Sequence, residues 1–225
     1  MSNLIPDKKQ IEASKHILIK SDKESLAQAS VLYSYCLSLH KKVSLYAPEI
    51  ERRFSFLPWI DKRRSNRADS ADLEIDSSIE IMDLYDFMQM SDVKINAKMA
   101  TALYAGLLQR YENFLSDAMD GTIFAVLAQL ITLGADHQKC VENIVYSEPL
   151  SKIRLKAILY KNLLLKENAK VAHVSFCDED LHASGASLED VCEAAREFLH
   201  IVHIREVHIV KSDENNKIIK IVKDV

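Results

Sequence analysis

Within residues 16–46, an apolar run, a helical period and a second apolar run follow one another with almost nothing between them. His16-Ile17-Leu18-Ile19-Lys20 is short, rich in β-branched residues and closed by polar ones, the pattern of a buried strand. Lys23 to His40 carries Leu26, Ala29, Val31, Leu32, Tyr35, Cys36 and Leu39 at the spacing of a helix that faces a core. Lys42-Val43-Ser44-Leu45-Tyr46 reads as the next strand. Strand, helix and strand in so short a stretch form a βαβ unit, and that commits the chain to a parallel sheet. Ligands in such sheets sit beyond the carboxyl ends of the strands. Here that place is Ser21-Asp22-Lys23-Glu24-Ser25. Asp7 to Lys15, just before the unit, reads as a short amphipathic helix.

Composition supports the α/β reading. The chain has 4 glycines and 4 prolines in 225 residues, against averages of about 7% and about 5%. That argues against turn-dense all-β folds and leaves little material for a glycine-rich phosphate loop. A length of 225 residues suits one large domain or two small ones. With 48% hydrophobic and 28% charged residues, the chain can bury a core. Its net charge of −4 exerts no global pull on nucleic acid or an anionic membrane. The amino terminus shows no apolar stretch of the kind a secretory leader needs, and Thr122–Ala135 is too short to span a bilayer. Cys36, Cys140, Cys177 and Cys192 form no Cys-x-x-Cys pair, so reduced, mostly buried thiols and a cytoplasmic protein are expected.

The middle of the chain is charge-segregated. Arg52, Arg53, Lys62, Arg63, Arg64 and Arg67 share a segment with Phe54, Phe56 and Trp59. Asp69, Asp72, Glu74, Asp76, Glu80, Asp83 and Asp86 follow with no intervening Lys or Arg. Arginines that track phosphates beside aromatics that stack bases would make a single-strand nucleic-acid site, with Arg63 and Arg64 as the phosphate contacts. Alternatively, the aromatics anchor a loop in the core and the arginines pair with the acidic run. The second reading is favoured, because the acidic neighbour would repel the same phosphates.

Helices are expected to dominate from Lys94 onward: Met99–Leu108 as an apolar helix or helix–strand unit, then Asp120–Leu133 stopped by Gly134, then Asp136–Tyr146 and Leu150–Lys161 after Pro149. The period then changes. Lys170–Phe176 reads as a strand, Asp178–Ala183 as a short helix ended at Gly185, and Ser187-Leu188-Glu189-Asp190 as the cap of a helix to about Leu199. Arg205–Lys211 and Lys217–Val222 flank Ser212–Asn216 as a hairpin. His200-x-x-His203 with His208 suggests a metal site only weakly, since a helix end and a strand do not converge these side chains, and surface histidines are expected. Cys177, beside Asp178 and Glu179, should have a raised thiol pKa.

Several segments together resemble the DHH phosphoesterase family, of the nanoRNase/pAp-phosphatase type with a carboxyl-terminal DHH-associated domain. They are Ala102–Leu108, Asp120-Gly121-Thr122, Leu133-Gly134-Ala135-Asp136, Tyr146–Leu155, Val171–Phe176, Asp180-Leu181 and Gly185-Ala186, together with the amino-terminal strands and Phe56-Leu57-Pro58. The resemblance covers about residues 16–60 and 95–225. It implies a parallel-sheet DHH-like domain (1–118), linker helices (119–165) and a smaller, truncated DHH-associated-like α/β domain (166–225). The activity it implies is hydrolysis of phosphoesters with two divalent metals, usually manganese, which turn water into a nucleophile near neutral pH.

Each metal-ligand motif departs from that pattern. After the first strand, Ser21–Gln28 keeps two acids, Asp22 and Glu24, at an altered spacing and without a histidine. Asp76 is the one occupant for an expected strand-end aspartate, and the Asp-His-His motif is missing, with no histidine between His40 and His137. Four residues beyond Gly106, where the resemblance places a ligand aspartate, stands Arg110. A guanidinium has no lone pair for a metal. Arg110 either makes an anion or phosphate site, or fills the vacated volume and pairs with Asp22, Glu24 or Asp76; the second is favoured. The Gly-Gly-Gly-His stretch expected near the carboxyl terminus is not among these residues, which run to Lys220–Val225. The expectation is therefore a degenerate, catalytically inactive homologue with no catalytic residues and no cofactor. It would act by binding a protein partner or a phosphorylated ligand, with a homodimer as a further expectation and no membrane association. The alternatives are a residual phosphoesterase recruiting manganese through Asp22, Glu24 and Asp76, and a single-stranded nucleic-acid-binding module.

Overall fold

The computed structural model describes residues 7–67, 70–214 and 216–223, so the readings on Met1–Pro6, Asp69 and Asn215 lie outside the described residues. The chain divides into two compact units, Met1–Ser147 and Glu148–Val225.

In the first unit, α1 (Lys8–Ala13) leads into β1 (His16–Lys20), α2 (Leu26–Ser38) and β2 (Lys42–Tyr46), so the βαβ unit is present with the expected strand limits. β3 (Arg63–Arg64) and β4 (Leu73–Asp76) complete a four-stranded, all-parallel sheet in the order β3-β2-β1-β4. β1 is central, and its first four residues are buried, which is why that strand is apolar on both faces. α2 is buried from Leu26 to Cys36 except at Gln28, as befits a helix packed on more than one side. It lies against both the sheet and α4 (Ala97–Arg110). α3 (Ile81–Met90) and α5 (Gly121–Thr132) close the core, which includes Ile17, Ile19, Leu32, Phe54, Leu84, Leu103 and Leu130.

Two glycines have specific work here. A Cβ on Gly106 would stand 2.6 Å from Ile81 Cδ1 and 3.2 Å from Ala27 Cβ, so its absence lets α4 approach α2 and α3 closely. Gly134, at φ +92, ends α5 in the left-handed region. With glycine so scarce, left-handed positions fall to other residues, among them Asp92, Asn113 and Asn168, which tolerate that conformation, and Trp59 and Phe114, which do so less readily. α6 (His137–Cys140), capped by Asp136, completes the unit and continues as a π-helical turn over Val141–Val145.

In the second unit, α7 (Leu150–Lys161) is followed by β5 (Leu163–Lys166), β6 (Val171–Phe176), α8 (Asp178–Ser184), α9 (Leu188–Glu197), β7 (Glu206–Lys211) and β8 (Lys217–Lys223). The sheet order is β5-β6-β7-β8; the central pair is parallel and both outer pairs are antiparallel. Gly185 caps α8 at φ +73, and Ser187 with Asp190 forms the expected capping box on α9. Leu155, Leu159, Val174, Phe176, Val191, Phe198 and Ile209 make a core separate from the first. The helices of 119–165 are therefore shared out: α5 buries Ile123, Val126, Leu127 and Leu130 in the first core, and α7 buries Leu155 and Leu159 in the second.

Candidate functional site

β1 and β4 are parallel and Lys20 stands level with Asp76, so the chain leaves both strands side by side at one edge. The segments that follow, Ser21–Ser25 and Ser77–Ile81, meet through hydroxyls. Ser25 Oγ donates to Asp22 Oδ1 at 2.7 Å and lies 2.8 Å from Ser77 Oγ. Each hydroxyl has one proton, so Ser77 is the donor in the second bond. Ser21, Ser25 and Ser77 are all buried. Gln28 Nε2 donates to the Ile79 carbonyl at 3.0 Å and ties α2 to the same segment. Its Oε1 is buried with no hydrogen-bond partner among the described residues.

Over this base lies a cleft of about 330 Å³, lined among others by Asp22, Glu24, Gln28, Glu80, Gln109 and Arg110. The carboxyl ends of a parallel sheet are where such a cleft is expected. At its edge Arg110 Nε donates to Glu80 Oε1 at 3.0 Å, with the two side chains 54% and 43% exposed. This corrects the expectation for Arg110: its partner is Glu80, not Asp22, Glu24 or Asp76, and it lies at a solvated rim, not in a filled cavity. Glu80 stands where β4 turns into α3, a position that could be set only once the strand was known. Glu80, Gln28 and Ser77 are members that sequence reasoning did not single out, and Ser21 and Ser25 were placed at the strand end without their hydroxyl network; the acidic run contained Glu80 but gave no sign of its direction.

The two-metal centre implied by the resemblance does not fit these residues. Asp22 Oδ1 already accepts from Glu24 N (3.0 Å), Ser25 N (2.8 Å) and Ser25 Oγ (2.7 Å). Asp22 and Glu24 are two residues apart, so the acid-x-acid interval itself is kept, and the reading of an altered spacing is corrected; what the loop lacks is the histidine. Asp76 does close a strand, as expected, but it is exposed, its Oδ1 accepts from Ser78 N at 2.9 Å, and it does not line the cleft. Among the described residues no three His, Cys, Asp or Glu side chains converge as a metal site. Asp22, Glu24 and Glu80 against Arg110 leave two uncompensated negative charges in the cleft.

Arg63, Arg64 and Arg67 line a separate, shallow depression of about 790 Å³. Arg67 pairs with Glu74, which Lys20 also holds at 2.5 Å; the two cations keep the Glu74 carboxyl below its usual range. Arg63 Nη1 reaches the Ala47 carbonyl at 3.4 Å, and Arg64 is exposed. Of the aromatics of this segment only Phe54 is buried; Phe56 and Trp59 are half-buried and line a cleft of about 490 Å³ with Lys62, Lys98 and Lys139. Phe54 is fully buried, and Trp59 stacks on Tyr33 at 5.6 Å, donates to Ser34 Oγ at 2.9 Å and carries Lys98 Nζ 4.1 Å above its ring. The indole already stacks on one ring and carries one cation, which disfavours its use as a stacking platform for a base.

In the second unit, His208 approaches neither His200 nor His203 but His173, its neighbour across β6 and β7. Burial, then Lys166 and His208, lowers the His173 pKa. Burial pushes the Cys36 and Cys140 thiols up to about 12, so neither is a nucleophile. The Cys177 thiol is also raised: the Asp180 amide lowers it, but the Asp180 carboxylate, which accepts from Sγ at 3.2 Å, and burial outweigh that. The neighbour responsible is Asp180, in place of the expected Asp178 and Glu179.

No protein-family model and no curated protein matches the chain. Among solved structures, it is similar to an exopolyphosphatase-related protein from Bacteroides fragilis, with a TM-score of 0.69 at 14% identity, over 92% of this chain and 78% of that one. The fold is DHH-like. At that identity the likeness shows the fold alone. A Methanococcus jannaschii protein described as a family II inorganic pyrophosphatase aligns over 87% of this chain and 83% of its own at 11% identity, but its TM-score of 0.40 carries no argument. The first-unit cleft lies at the carboxyl ends of β1 and β4, where the serine and acid network is.

Proposed function

We propose that this DHH-like protein acts by binding, without metal-dependent phosphoester hydrolysis. The observation that carries the reading is the cleft rim, where Arg110 bonds Glu80 at the position the resemblance gives to a ligand aspartate. The bonded state of Asp22 supports it in part, because Oδ1 already accepts from three donors and only Oδ2 is left to offer a metal. The excess of carboxylates favours a ligand bearing hydroxyl or amine donors over a free phosphate, which the same charges would repel. The residual-phosphoesterase reading keeps one point in its favour, since Asp22 and Glu24 face the same cleft.

The test is turnover of pAp and short oligoribonucleotides by the full chain with manganese. No hydrolysis above the protein-free rate is expected. Hydrolysis that disappears in Asp22→Asn would overturn the proposal and restore the enzyme reading.

A further inference from the structure

A cluster unrelated to the cleft lies on the second sheet. β6 and β7 run parallel with His173 level with His208, so the two-residue period sends both imidazoles to one face. Ala172, Val174, Val207 and Ile209 point the other way, into the second core. His173 Nε2 stands 3.1 Å from His208 Nδ1. The other nitrogen of His208, Nε2, is 3.2 Å from Glu206 Oε2, and Lys223 holds Glu206 at 2.8 Å. A carboxylate accepts only, so Nε2 of His208 carries the proton, and Nδ1 presents its lone pair toward His173.

That arrangement has the shape of half a metal site. Tetrahedral zinc with Zn–N of about 2.0–2.1 Å holds two ligand nitrogens about 3.3 Å apart. A ligating histidine whose second nitrogen donates to a carboxylate is the usual outer support of such a site. We infer that His173 Nε2 and His208 Nδ1 form a two-histidine site for a zinc-type divalent ion, with Glu206 as a positioning residue that orients His208. Water fills the remaining coordination positions. Loading requires the His173 proton to sit on Nδ1, a tautomer change through solvent with no net proton transfer. Imidazole pairs select zinc, nickel and copper over magnesium and calcium, which prefer oxygen ligands. The His208 side chain is 16% exposed, so an ion reaches it from solvent without opening the core. The inference rests on the second sheet alone and stands whether or not the cleft reading holds.

The experiment is calorimetric titration of the chelator-stripped full chain with Zn²⁺, alongside thermal unfolding with and without the ion. One equivalent is expected, with a rise in Tm that Mg²⁺ does not reproduce. His208→Gln and His173→Gln should each abolish both signals. Glu206→Gln keeps both ligands and should weaken binding about 10–100-fold, the range seen when a supporting carboxylate is lost. No stoichiometric binding by the wild type, or binding unchanged in His173→Gln/His208→Gln, would contradict the inference. Should the histidine variants fail to fold, Glu206→Gln decides alone, and an unchanged affinity there overturns it.

Discussion

Arg110 shows how far one residue's chemistry can be read before structure. Its distance from Gly106 is fixed by the turns of α4, so its arrival at the cleft follows from the sequence once the Tyr104-Ala105-Gly106 element is recognised. Its partner does not follow. Glu80 lies 30 residues earlier, and choosing among four acids requires the path of the chain from β4 into α3. Exposure then decides the energetics. A pair this solvated is worth about 0–1 kcal/mol, because water screens both charges. Arg110→Asp places a second carboxylate beside Glu80 and should therefore lower stability by no more than about 1 kcal/mol at neutral pH. Thermal unfolding checks this, and a loss of several kcal/mol would mean the guanidinium is a buried partner after all. The same variant should remain inactive toward pAp with manganese, since one carboxylate does not rebuild a centre whose remaining donors are bonded elsewhere or exposed.

At the scale of elements, strong periodicity was legible and short or solvent-exposed strands were not. β1, α2 and β2 could be drawn from the sequence because their apolar residues are many and their neighbours polar. β3 has two residues, both arginine, and β4 alternates acids with Leu73 and Ile75; β5 is exposed over three of its four residues. Such strands exist because a neighbour offers hydrogen bonds, which no local pattern reports. What keys β4 to β1 is partly a side chain: Asp72 Oδ2 accepts from Lys15 N and His16 N, each at 2.9 Å. Those two amides hold the Asp72 carboxyl below its usual range. The sign follows from that direction. Its contribution is fully present above the ordinary carboxylate pKa of about 4 and is lost as pH falls below that toward the folded value. Asp72→Asn should therefore be less stable than wild type at neutral pH, and the difference should shrink as pH drops below about 4. Denaturant melts across that window measure it; a constant difference would mean the carboxylate charge contributes nothing to the pin.

For the whole molecule, two units with separate cores carry two unrelated clusters: a serine and carboxylate cleft on a parallel sheet, and a histidine pair on a mixed sheet. The α/β class followed from glycine scarcity and the βαβ unit, whereas the serine network and the His173–His208 contact depend on strand register, which brings together residues 52 and 35 positions apart. The central claim is that the DHH-like cleft does not assemble a two-metal centre. Calorimetric titration of the His208→Gln variant with Mn²⁺ tests it most directly, because the second sheet then adds no signal. The account predicts no stoichiometric manganese binding; two equivalents per chain, lost on Asp22→Asn, would contradict it.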